Sequence, residues 1–170
     1  FFVPEFGYNY MLNNDVALGI TVYGNGGMNT DYSGIAAFGG ANLLGGNGSL
    51  GVDLMQLIIA PTAAFKINAN HSLGISPLLG YQRFEAYGLQ AFAGFQLPGT
   101  PSLATNQGYE DSFGYGVRLG YLGKITPTVT IGASYASKMN FEELDAYAGL
   151  FAEQGDFDIP ENYNLGVSWQ

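Results

Sequence analysis

Thr128-Val129-Thr130-Ile131-Gly132-Ala133-Ser134-Tyr135-Ala136-Ser137-Lys138 decides the fold. Val129, Ile131, Ala133 and Tyr135 occupy the odd positions, while Thr130, Gly132, Ser134, Ala136 and Lys138 occupy the even ones. A period of two is that of a β-strand, so one face is apolar and the other is small and polar. A soluble barrel would turn the apolar face inward. Here the opposite face would line the interior of a membrane barrel, because a face this rich in Gly and charge suits a lumen and the apolar one suits lipid.

The same rhythm extends to both ends of the chain. A first strand is expected over Phe2 to Leu12, with Phe6, Tyr8 and Tyr10 on one face, and a tight turn at Asn13 and Asn14. A second runs from Asp15 to Tyr23, with Val16, Leu18, Ile20 and Val22 outward. A third, Asp53 to Ile67, places Met55, Leu57, Ile59, Ala63 and Phe65 outward. The fourth begins near Ser72 with Leu73, Ile75, Leu79 and Tyr81 outward, after a turn at Asn68 to Asn70. In the fifth, Phe113, Tyr115, Val117, Leu119 and Tyr121 oppose Gly114, Gly116, Arg118, Gly120 and Lys124. Thr126 to Thr128 turn into the sixth, and a seventh starts at Asn162. Long loops are expected at about 24–50, 89–111 and 139–161, alternating with the short turns. Outer-membrane barrels keep their periplasmic turns tight and elaborate their extracellular loops, which orients the wall. Every acidic residue except Glu5 and Asp15 falls in or beside a long loop, so the outer rim is acidic.

Composition narrows the class further. Only 11% of the 170 residues are charged while 15% are aromatic, too few charges to coat a water-facing surface. The longest nearly apolar run, Leu57 to Phe65, falls far short of the roughly 20 residues that a membrane-spanning helix needs. A chain that enters lipid without such helices must satisfy its backbone in a closed barrel. Seven strands do not close a single-chain barrel, so further strands are expected, with this chain an internal piece or one whose signal peptide is removed. A net charge of -9 excludes nucleic acid as a partner, since phosphate binding needs a basic surface. The absence of cysteine removes thiolate chemistry and sulfur-ligated metal sites. His71 is the only histidine, and no set of converging ligands or nucleophile–base pair accompanies it, so neither a catalytic site, a metal site nor a cofactor is expected. The glycine clusters near Gly24, Gly39 and Gly45 lack the lysine of a phosphate loop.

In order along the chain, Val3-Pro4-Glu5-Phe6-Gly7-Tyr8, Ala17-Leu18-Gly19-Ile20, Ala60-Pro61-Thr62-Ala63-Ala64-Phe65-Lys66-Ile67, Ser72-Leu73-Gly74, Phe113-Gly114-Tyr115-Gly116, Gly132-Ala133-Ser134-Tyr135-Ala136-Ser137-Lys138, and Ile159-Pro160 before Leu165-Gly166-Val167 form a set. This set resembles the FadL family of outer-membrane channels for long-chain fatty acids and other hydrophobic compounds, including aromatic hydrocarbons. The resemblance implies an all-β, transmembrane antiparallel barrel of fourteen strands, of which this chain is the second through eighth, without the N-terminal plug or the later strands. It also implies a bacterial outer-membrane location, outer-membrane lipid and lipopolysaccharide as surroundings, and hydrophobic small molecules as ligands. Where the family holds a carboxylate with an Arg at the end of the fourth strand, this chain has Gly88, which favours a neutral hydrocarbon or a site moved to Arg83 or Lys138.

Two loops are more apolar than solvent-exposed loops should be. Leu89, Phe92, Phe95, Leu97 and Leu103 crowd the second, while Phe141, Leu144, Tyr147, Ala148 and Phe151 recur in the third at helical spacing behind Asn140, a candidate N-cap. They form either a packed lid or a groove where a lipophilic ligand first lands. Parity places Arg118 and Lys138 inward and Arg83 outward near the rim, with Glu5 as the expected partner of Arg118. Pro61 and the glycines Gly24, Gly26 and Gly27 are read as a local break in the wall, since proline withdraws a ladder donor and the resemblance implies sideways release into the membrane. Passive uptake of hydrophobic molecules is the reading these features favour. A loop-binding structural or adhesive barrel and a general porin are the alternatives.

Overall fold

The computed structural model describes residues 4–34, 39–95 and 104–170. Its backbone is one antiparallel sheet in the order β1-β2-β3-β4-β5-β6-β8. The strands are β1 (Phe6–Met11), β2 (Val16–Tyr32), β3 (Leu50–Lys66), β4 (His71–Tyr87), β5 (Glu110–Lys124), β6 (Val129–Ala136) and β8 (Asn162–Trp169). A two-residue strand, β7 (Asn140–Phe141), continues alongside β5 beyond the end of β6. No helix among the described residues is long and apolar enough to cross a membrane.

Three short turns share one construction. Leu12, Ile67 and Ile125 donate their N–H groups to the carbonyls of Val16, His71 and Val129 at 2.9 Å. Within each turn a single polar side chain caps two amides. Asn13 accepts from Asp15 and Val16, Asn68 from Asn70 and His71, and Thr126 from Thr128 and Val129. Short polar side chains that bond the backbone two or three residues ahead stabilise such turns locally, so β1–β2, β3–β4 and β5–β6 are joined at one edge of the sheet.

One face of the sheet is bare and apolar. Leu18, Met55, Ile59, Phe65, Leu73, Ile75, Leu79, Phe113, Tyr115 and Leu119 are all exposed on it, and neither Val129, Ile131 nor Tyr121 is buried. The other face is covered on its long-loop half by the segment that follows β6. There Leu54, Ile58, Ala60, Leu78, Phe84 and Ala86 of β3 and β4 are nearly inaccessible.

Two expectations are corrected and a third gains detail. The second strand does not stop at Tyr23. It runs on to Tyr32 through a bulge between Gly24 and Gly26, so the first long connection starts after Tyr32 rather than at 24. The segment Asn140 to Phe151 is not helical but consists of β7 and the short 3₁₀ turn Asp145–Tyr147. Its apolar side chains are drawn onto the wall itself. Finally, the predicted break has two parts. Pro61 stays in register with Ile20 of β2, but towards β4 the ladder lapses between Ile59↔Leu79 and Ala63↔Ile75, the stretch where Pro61 and Pro77 stand opposite each other. Both lack the N–H that a ladder rung uses.

Candidate functional site

The covered face carries two apolar layers. Nearer the long loops, Leu54, Phe84, Ala86, Leu144 and Tyr147 form a buried cluster, with Val52, Leu89, Leu150, Phe151 and Phe157 packed on it. The rings are set edge to face, with Tyr147 and Phe151 at 4.8 and 4.9 Å from Phe84 and steep interplanar angles. Tyr147 is fully buried, yet its hydroxyl is satisfied twice, accepting from the Ala86 amide at 3.1 Å and donating to the Gly108 carbonyl at 2.5 Å. Burial pushes that hydroxyl up from its ordinary pKa. The second layer joins Ile58, Ala60, Leu78 and Ala136 to Met139 and Ile159, the last two closing the neck of the loop by mutual backbone bonds.

Glycines in the wall admit this loop. A Cβ on Gly80 or Gly114 would run into the Phe141 ring, and one on Gly116 would meet Met139. Sequence parity set Gly114 and Gly116 on the inward face but gave no sign that an aromatic ring would rest on the wall there.

The cations nominated from sequence are distributed differently. Arg83 lies on the bare face and bonds Asp111 at 2.9 Å. Lys138 pairs with Asp158 at 2.5 Å and with Asp156 at 3.9 Å, and the Asp158 bond holds its ammonium above the ordinary range. Arg118 donates to the Tyr23 hydroxyl at 2.7 Å, with its guanidinium 5.6 Å from the ring centroid, reaching across β3 and β4 to do so. Glu5 is exposed and is not its partner. Tyr23, the residue at which the second strand is expected to end, is therefore a member of the interior.

The apolar loop residues also separate. Leu144 and Tyr147 are completely buried within the layer nearer the long loops, Phe151 is half-buried on that layer, and Phe141 is half-buried on the second one. Phe92 is exposed in the turn Gln90–Phe95, whose backbone Phe95 ends, while Leu97 and Leu103 lie outside the described residues. Gly88 has φ of +80°, and a Cβ there would strike the Ser49 carbonyl, so the end of the fourth strand is a backbone anchor whose carbonyl accepts from Asn42 at 2.8 Å.

Across the β2 bulge the sheet stays paired, with Gly24 opposite Leu57 and Gly26 opposite Gln56, and a cavity lies beside it. The cavity, of about 710 Å³, is lined by residues of the covered face, Leu54 and Gln56, and of the bare face, Met55, Leu57 and Tyr81, together with Gly24 to Gly27. No group of metal-ligating side chains occurs among the described residues.

Comparison with known proteins gives a family. The family model described as outer membrane protein transport protein (OMPP1/FadL/TodX) matches residues 1–157. Among solved structures, the Pseudomonas putida toluene transporter TodX aligns with a TM-score of 0.68 at 16% identity, over 99% of this chain and 50% of that one. The Ralstonia pickettii toluene transporter TbuX gives 0.67 at 19%, over 96% and 49%. A Pseudomonas aeruginosa FadL homologue gives 0.69 at 18%, over 99% and 45%. At these identities the likeness is one of fold, and the chain spans about half the length of the structures it matches. No curated protein sequence matches it.

Proposed function

The chain belongs to the outer membrane protein transport family (OMPP1/FadL/TodX), and on that premise we propose that it forms part of a channel for passive uptake of neutral hydrophobic small molecules. Membership places it in the bacterial outer membrane as part of a transmembrane β-barrel. Long loops on the outer side receive the ligand and the apolar interior relays it, using affinity and diffusion and no covalent step.

The observation that carries this reading is the combination of an apolar interior with charges that are already engaged. Phe151 and Phe157, half-buried over Leu54 and Phe84, offer contact area to a greasy solute, while Lys138 in the interior and Arg83 on the bare face are neutralised by aspartates and Gly88 leaves no arginine at the fourth-strand end. At Arg83 and Lys138 a ligand carboxylate would have to displace an aspartate, and at Arg118 it would have to replace the Tyr23 hydroxyl, whereas an aromatic hydrocarbon need displace nothing polar. Two relatives described as toluene transporters support the same ligand class. The cavity at Gly24 to Gly27 supports sideways release into the membrane, since its lining draws on both faces of the wall.

The test is uptake by cells whose outer membrane holds the full-length protein. Radiolabelled toluene should enter about tenfold faster than into cells without it, while an aliphatic carboxylate of similar size and a disaccharide should show no such gain. Faster entry of the disaccharide would replace the proposal with a water-filled porin, and equal entry of all three with and without the protein would leave no transport to explain.

A further inference from the structure

Between the two apolar layers runs a row of polar side chains that uptake by affinity does not require. Gly26, Gln56, Gln82 and Ser112 are successive partners across β2, β3, β4 and β5. On the covered face the Asn25 amide donates to Gln56 Oε1 at 3.2 Å, Gln56 Nε2 to Gln82 Oε1 at 3.1 Å, and Gln82 Nε2 to Ser112 Oγ at 3.4 Å. Gln82 Nε2 also reaches the Phe157 carbonyl at 3.3 Å, and Ser112 Oγ donates to the Glu142 carbonyl at 2.6 Å. All the donors point the same way, an arrangement in which each bond polarises the next.

Gln82 and Ser112 are wholly inaccessible and Gln56 is nearly so. Apolar side chains of similar size would fill the same space without desolvation cost, so the row is retained at a penalty unless every member is paired. The direction of its bonds is set by its two ends. One end is fixed to two carbonyls of the segment after β6, and the other end holds Asn25, the extra residue of the bulge. Asn25 and Gln56 also line the cavity there. If the loop segment moves off the wall, Ser112 and Gln82 lose their carbonyl acceptors inside an apolar layer, and the freed Ser112 hydroxyl is satisfied by donating back along the row, which requires both glutamine amides to turn and the Asn25 amide at the bulge to turn with them.

We infer that Gln56 and Gln82 are positioning residues that couple the docking of segment 139–159 to the conformation of the β2 bulge, so that displacement of the loop widens the cavity beside it. This goes beyond the uptake reading, and its test reads access to the cavity rather than transport.

Leu57 lines the cavity but takes no part in the row, and the chain has no cysteine of its own. In the full-length protein in outer membranes, the thiol introduced by Leu57→Cys is timed for its reaction with a membrane-impermeant maleimide. The substitution is combined with Asn25→Ala, with Ser112→Ala, and with both. Ser112→Ala, three strands away from Asn25, should raise the labelling rate about fivefold or more, and the double variant should react no faster than the faster single one, since coupled sites are not additive whereas independent sites are. A smaller rise, or two effects that multiply, overturns the inference. Should Ser112→Ala fail to reach the membrane, Gln82→Met takes its place under the same criteria.

Discussion

At the scale of single residues, the absence of a side chain does as much as its presence. Phe141 lies on the wall because Gly80 and Gly114 offer only backbone beneath it, and a Cβ at either position would occupy the ring's own volume. Gly114→Val should therefore dislodge the ring at a cost of roughly 1–3 kcal/mol, the usual penalty for overpacking. The expected result is faster protease cleavage within residues 142–157 in intact membranes. Gly120→Val serves as the control, since nothing lies within 4 Å of a Cβ there, and its cleavage rate should be unchanged. Tyr109 shows what one hydrogen bond does to a titration. Its hydroxyl donates to Asp53 at 2.8 Å, and that bond, helped by burial and by the Asp53 charge, pushes its pKa from 10.0 up to about 12. The folded protein then keeps a proton that the unfolded chain gives up earlier, so the bond's contribution is complete below pH 10.0 and drains away as the pH rises towards about 12. Ultraviolet titration of tyrosinate should lose a phase near pH 12 in Tyr109→Phe, and loss of a phase near 10 instead would contradict the assignment.

Elements show where sequence patterning succeeds and where it stops. The three short turns were legible, because Asn13, Asn68 and Thr126 act on amides two or three residues away and need no tertiary partner. The second half of β2 was not. Gly24-Asn25-Gly26-Gly27 carries the composition of a loop, and the single extra residue at the bulge breaks the period of two on which strand recognition depends. In the third loop the spacing of Leu144 and Tyr147 correctly marked side chains that share a burial site, but the helix it suggested did not form. The surface that receives them belongs to β3 and β4, which no local pattern within residues 139–161 encodes. The bulge carries its own prediction. Deleting Asn25 would leave Gly24 opposite Leu57 and Gly26 opposite Gln56 on consecutive rungs, so the strand would become regular without turning any later side chain to the other face. The cavity should close while the barrel still folds. Toluene uptake should fall about tenfold if release is sideways through the bulge, and retention of the full rate would place the exit elsewhere.

For the molecule as a whole, the governing asymmetry is between a bare face and a covered one. The bare face was legible throughout, since Leu73, Ile75 and Leu79 of β4 alternate without interruption and continue as Tyr115 and Leu119 of β5. The covered face was legible only near the short turns, where it is small and polar. Towards the long loops its Leu54, Ile58, Leu78 and Phe84 are as apolar as the opposite side, and two apolar faces cannot be told apart by alternation. What distinguishes them is the loop packed over one and lipid over the other, and this difference can be measured. Leu119 sits midway along β5 on the bare face, flanked by Ile75 and Tyr135, while Phe113 of the same face lies near the long-loop end. A charge facing lipid costs roughly 2–4 kcal/mol at the bilayer midplane and roughly 0–1 near the interface. Leu119→Arg should therefore lower the unfolding free energy of the full-length protein in lipid vesicles by about the larger amount, and Phe113→Arg by about the smaller. In a water-facing sheet the two exposed positions would respond alike and weakly. Equal small costs would thus remove the bilayer from the account of this fold, whereas a graded pair locates the midplane on β5.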